Sequence, residues 1–215
     1  LNYNHILLKA EEHNNFYAFV SSNWEMKNPK IDGVSGAGDI PADIVKKISR
    51  PLDWFNSVKN NPSAFKSGFN NYFNKDAMMD YYIILEAFYA DDDVDKNLSM
   101  CTWDGSIWYF QWYDMDTILG LYWNGSKLLS SSGSVLNSPE PGESGKRFWN
   151  MFYAAFQPEI VARFSDFMSQ ISQEAYEKDF KRWPAIPSNS SCYTSLAQIS
   201  KWYQERLVWM DSYFK

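Results

Sequence analysis

Residues 76–90, DAMMDYYIILEAFYA, read as a helix that opens on an acid and is apolar nearly all round. A helix of that kind cannot lie on a surface, because it needs apolar neighbours on every side. It therefore belongs in the middle of a domain, and the rest of the chain has to pack around it. Glu86 lies inside this run. An unpaired buried carboxylate is costly, so a buried partner is expected for it. The chain has the material for such a core: 215 residues, 45% hydrophobic and 18% aromatic, fit a single domain and argue against disorder.

Before this helix, residues 1–40 form a mixed segment. Its apolar runs HILL and FYAFV read as short strands, and the glycines of GVSGAGD read as a loop. That glycine run lacks the strand, the Lys-Ser/Thr pair and the GxGxxG order of a phosphate loop. Pro41 stands at a favoured first helical position. The helix it opens carries Ile44, Ile48, Leu52, Phe55 and Val58 on one face, and Pro51 is expected to kink or break it. A short helix over 62–73 follows.

After the central helix come the acidic turn DDDVDKN and two β-rich runs, Leu98 to Trp103 and Ile107 to Tyr113, joined by Asp104-Gly105. The aromatic side chains of WYFQWY read as core. Residues 121–145, rich in Ser, Gly, Asn and Pro, read as a long surface loop. From Lys146 onward the pattern is helical in the runs KRFWNMFYAAF, PEIVARFSDFMSQI and QEAYEKDFKRW, and after the loop PAIPSNSSC a last helix, SLAQISKWYQERLVWMDSYF, runs to the end. The fold class is α+β, helix-dominated, around one central β-hairpin.

Composition removes several functions. A formal charge of -6 without a basic stripe argues against nucleic acid as a partner. No run of about 18 apolar residues exists, so no membrane span is expected. Cys101 and Cys192 are too few and too far apart for a zinc-site spacing, and Cys101 reads as a buried thiol in a strand. His5 and His13 are the only histidines, and neither a His-based triad nor a three-His metal site is expected from them.

What remains is carboxylate chemistry. Transfer of a γ-phosphoryl group needs a carboxylate near the accepting hydroxyl, an amide on the metal, and a second metal-binding Asp brought in from a strand end. Asp92 and Asn97 have the four-residue separation of the kinase catalytic-loop pair, and Asp114 and Asp116 close the following strand, where alternation puts both on one side. The plain alternatives are a solvated acidic loop for Asp91 to Asp95 and a carboxylate-capped strand end for Asp114 and Asp116. A calcium-binding EF-hand loop is rejected, because Lys96 stands where its Gly is required and Thr102 where its bidentate Glu is required.

In combination these features resemble the CotH kinase family, atypical kinase-like proteins first associated with spore coats. The similarity runs through WEMKNPK (24–30), IPADIVKKI, the helix DAMMDYYIILEAF, the turn DDVDKN (92–97), the Gly-turn hairpin, YDMDTILG (113–120) and the terminal ISKWYQERLVWM. It covers most of residues 24–212.

The resemblance implies the C-terminal lobe of an atypical protein-kinase-like fold over residues 41–215, with residues 1–40 continuing from an upstream lobe. It implies Asp92 as the catalytic-loop Asp, Asn97 as a magnesium ligand, and Asp114 or Asp116 as the counterpart of the metal-binding Asp of the kinase DFG motif. The nucleotide-contacting Lys is expected upstream of Leu1. The cofactors implied are ATP with Mg or Mn, and the activity is phosphorylation of a protein on Ser or Thr.

Tyr113 stands where the family mostly has Trp, and Ala90 where Asn is frequent. The alternative is a catalytically silent kinase-like structural module of a surface assembly, in a spore coat, on a cell surface or in a phage tail or baseplate within a virion. Its partners would be assembly proteins in a homo- or hetero-oligomer.

Overall fold

In the computed structural model, residues 4–13, 15–31, 38–115, 118–122, 128–170, 173–182 and 196–215 are described. At the centre is α3 (Lys75–Phe88), which buries Met78, Met79, Tyr81, Tyr82, Ile83, Leu85, Glu86 and Ala87. The Asn74 side chain accepts from the Ala77 amide at 2.9 Å and starts the helix. Left-handed Tyr89 ends it. This is the all-round burial that the apolar run requires.

A four-stranded antiparallel sheet packs beside it in the order β2-β1-β3-β4. Its strands are β1 (Ile6–Ala10), β2 (Trp24–Asn28), β3 (Leu98–Thr102) and β4 (Trp108–Trp112). Alternation turns Leu8, Trp24, Met26, Leu98, Met100, Trp108 and Phe110 into the core. The HILL run contributes to β1, and the expected hairpin is β3–β4. Its connection is held by Asp104, whose Oδ1 accepts from the amides of Ser106 at 2.7 Å and Ile107 at 2.8 Å.

The FYAFV run is not a strand. Its backbone finds partners outside any ladder, with the Phe16 amide donating to the Ser144 hydroxyl at 3.2 Å. Phe16 itself is driven into the core. Of the glycine run GVSGAGD (33–39), residues 33–37 lie outside the described residues.

α1 (Ala42–Val58) continues across Pro51 without a break, contrary to expectation. Pro51 is itself buried beside Ile44, Ile48, Leu52 and Phe55. Burial of that stripe outweighs the one backbone hydrogen bond that proline removes. α2 (Pro62–Gly68) follows, capped by Asn61.

α4 (Glu143–Gln170) opens three residues before the predicted start and is interrupted at Phe156, whose φ of -123° and ψ of 15° are non-helical. Pro158, two residues on, accounts for the interruption, which falls where the sequence divides into two helical runs. α5 (Gln173–Arg182) and α6 (Leu196–Tyr213) complete the order.

Packing converges on Phe148 of α4. Its ring lies within 5.9 Å of the rings of Phe16, Phe55, Phe65, Phe73, Phe110 and Trp149. Of the WYFQWY aromatics, Trp108 and Phe110 are core as read and Trp112 stacks on Tyr81 at 3.8 Å. Tyr109 is only half-buried, because alternation turns it to the outer face, and Tyr113, just past the strand, is exposed. Cys101 is a buried free thiol whose pKa burial pushes up to about 11, and Cys192 lies outside the described residues. Among the described residues no helix is long and apolar enough to cross a membrane.

Candidate functional site

The acidic turn joins the end of α3 to the start of β3. Asp91 leads into a single 3-10 turn over Asp92–Val94, and Asn97, in the left-handed region at φ 54°, donates its amide to Ala10 O at 3.1 Å. Val94 is fully buried and its carbonyl accepts from Trp149 Nε1 at 2.9 Å. The Tyr81 hydroxyl donates to Asp93 O at 2.9 Å. The turn is thus pinned to α3, α4 and β1.

Pinning decides the fate of the acids. Asp91 is 6%, Asp93 1% and Asp95 0% exposed, which overturns the solvated-loop alternative. Asp91 accepts from the Ser138 hydroxyl at 2.8 Å and from the Asp92 amide at 3.1 Å, although burial still raises its pKa.

Asp93 has no hydrogen-bond partner for either oxygen. The backbone of Tyr113 pulls the carboxyl back in part. Burial first, then the charges of Asp92, Asp114 and Asp91, push it up to about 9. Asp93 is therefore a neutral acid at pH 7.

Asp92 is the acid of this turn left half-open, with 24% of its side chain exposed. It lies on a cleft of about 300 Å³ that Asp91, Lys96, Tyr122, Leu129 and Glu140 also line. The structure brings the predicted pair together: Asn97 Nδ2 points at Asp92 Oδ2 from 3.5 Å.

Asp114 lies past the end of β4, exposed and in the left-handed region at φ 56°. The strand alternation read from the sequence does not extend to it, because the strand has already ended. Asp116 lies outside the described residues. Among the described residues, no group of three or more His, Cys, Asp or Glu is arranged to hold a metal ion. The donors that do gather here are carboxylate and amide oxygens, the chemistry a hard divalent cation takes.

Sequence reasoning missed His13. Its Nδ1 lies 2.6 Å from Asp95 Oδ1, and its Nε2 lies 4.0 Å from Asp92 Oδ1. Asp95 also accepts from the Gly142 amide at 3.3 Å. The ring's pKa is raised, first by its hydrogen bond to Asp95 and against the cost of burial.

Gly145 makes this arrangement fit. A Cβ there would stand 2.5 Å from Asp95 Cβ and 2.8 Å from its Cγ. Gly145→Ala is expected to displace Asp95 and cost about 1–3 kcal/mol, the usual range for overpacking. Chemical denaturation checks this, and an unchanged midpoint would refute the close fit.

Behind the turn, Glu86 finds its expected partner. It is 0% exposed and pairs with Arg206 of α6, also 0% exposed, at 2.9 Å. The Ser134 hydroxyl at 2.5 Å and the Val135 amide at 3.0 Å also donate to it.

No family model matches the chain, and a search of curated proteins finds no significant match.

Proposed function

We propose that the chain is a CotH-like atypical kinase domain that transfers the γ-phosphoryl group of ATP to Ser or Thr of a protein. The observation that carries this reading is Asp92. In a turn whose neighbouring acids are buried, it is the carboxylate that stays accessible, at a cleft, with the amide of Asn97 set against it. A carboxylate so placed can accept the proton of a substrate hydroxyl as that oxygen attacks phosphorus.

With its Nδ2 turned to Asp92, Asn97 has Oδ1 as the atom that reaches a cation. Asn97, together with Asp114 and Asp116, would hold Mg or Mn. When bound, the ion neutralises phosphate charge. Asp93, neutral at pH 7, adds no further negative charge against which the Asp92 carboxylate would have to ionise.

Asp92→Ala is expected to abolish transfer of labelled phosphate from ATP, a loss of about 100-fold or more for a general base. Undiminished transfer by that variant would end the reading.

A second reading, a catalytically silent building block of a surface assembly, draws on Asp114. That carboxylate is exposed beyond the strand, and among the described residues no hydrogen bond holds it against Asp92 or Asn97. The exposed aromatics Trp103 and Tyr113 suit a contact surface. Calorimetry with ATP and magnesium separates the two, because micromolar binding favours the enzyme and no binding favours the scaffold.

A further inference from the structure

We propose that His13 is a positioning residue for Asp92, held by Asp95 so that its Nε2 edge fixes the orientation of the Asp92 carboxylate. This rests on the reading of Asp92 as the base. The two oxygens of Asp92 face different elements: Oδ2 faces Asn97 Nδ2 at 3.5 Å, and Oδ1 faces His13 Nε2 at 4.0 Å. A carboxylate with an amide beside one oxygen and the charge of the ring facing the other has a preferred setting about its χ2 bond, which disfavours swinging away from an incoming hydroxyl.

His13 is not a loose surface ring that happens to lie near an acid. Its Nδ1 is bound at 2.6 Å by a carboxylate with no solvent exposure. That carboxylate is seated by the Gly142 amide and by the missing side chain of Gly145. The backbone around His13 is clasped to the same end of α4: the Phe16 amide donates to the Ser144 hydroxyl, and the Tyr17 hydroxyl donates to Glu143.

A simple latch between the N-terminal segment and α4 would need only the Nδ1 side of the ring. The Nε2 side faces Asp92, which lines the cleft. The charged groups acting on the ring are Asp95, Asp92 and Lys96, the two acids favouring the imidazolium and Lys96 opposing it. As an imidazolium, His13 presents an N–H to each acid at once.

His13→Asn separates the two roles, because an asparagine amide reaches the place of Nδ1 and keeps a donor for Asp95 while removing Nε2. Its melting temperature is expected to stay close to that of the parent. Its kcat for phosphate transfer is expected to fall about tenfold or more with KM for ATP unchanged, as for a misplaced catalytic group. An unchanged kcat in a folded His13→Asn variant overturns the proposal.

A second readout needs no activity. The chain has two histidines, so a His5→Gln variant assigns the imidazole nitrogen resonances. Asp92→Asn is then expected to shift the His13 Nε2 resonance and leave His5 unmoved. If Asp92→Asn leaves His13 Nε2 where it was, the contact does not exist and the proposal fails. In a chain that transfers no phosphate the kinase reading fails separately, and the resonance alone decides whether His13 orients Asp92.

Discussion

Arg206→Met is expected to lower the unfolding free energy by about 3–5 kcal/mol, the usual result of removing one partner from a buried ion pair. Arg206 is fully buried. It donates through Nε to Glu86 O at 2.8 Å, through Nη2 to Glu86 Oε2 at 2.9 Å, and through Nη1 to Gly133 O at 2.5 Å. Methionine fills much of the volume and satisfies none of these acceptors. It also strands Glu86 in the middle of the most apolar helix of the chain.

Burial already pushes the Glu86 carboxyl upward, while Arg206, Ser134 and the Val135 amide pull it back. Without the guanidinium the folded state keeps Glu86 protonated, whereas the unfolded state ionises it. The loss therefore deepens as pH rises above the ordinary carboxylate range. Urea unfolding at pH 5 and pH 8 measures this, and Glu86→Gln in the Arg206→Met background is expected to recover part of the loss and most of its pH dependence. A single variant with the parent's midpoint would show that the pair contributes nothing.

Asp93→Asn works in the opposite direction. With its folded pKa at about 9, Asp93 holds a proton that the unfolded chain gives up near pH 4. Between those values the unfolded state binds fewer protons than the folded state, so stability falls as pH rises, by at most about 1.4 kcal/mol per pH unit. The penalty is absent below the unfolded pKa, reaches on the order of 4 kcal/mol by pH 7, and levels off above about 9.

Asparagine cannot ionise and removes that penalty. Its amide group brings a desolvation cost of about 1–3 kcal/mol. The net expectation is a stabilisation of about 2–4 kcal/mol at pH 8 in chelator-treated buffer, and a destabilisation of about 1–3 kcal/mol at pH 4, where only the amide cost remains. Parallel stability curves for parent and variant across that range would show that Asp93 is not a buried neutral acid.

The reasons why some of this was readable and some was not are local. The central helix, the hairpin and the α1 stripe could be read because burial on one face, or on all faces, leaves a period in the chain itself. Glu86 announced its need for a partner through its apolar neighbours, but the partner lies 120 residues away and no local pattern specifies it.

FYAFV has the composition of a strand. Its backbone instead bonds to a side chain of α4, a tertiary choice that outweighs β propensity. The acidic turn was misjudged in its plain alternative because a run of aspartates reads the same whether it faces water or α4.

His13 left no signal. It meets Asp95 across 82 positions, and only the glycine at 145 that makes room for that meeting is visible in the sequence, where it looks like any other loop glycine. Asp92 and Asn97 were legible because their spacing is short enough for one turn to bring them together.

The strand order carries a consequence for how the chain acquires its shape. β1 lies between β2 and β3, and its Leu8 pairs with both Met26 and Met100. During synthesis one edge of β1 stays open until β3 has left the ribosome, and closing a loop over that separation is entropically slow. A nascent chain that ends before β3 would expose an unpaired apolar edge, the state in which this protein would need a chaperone most.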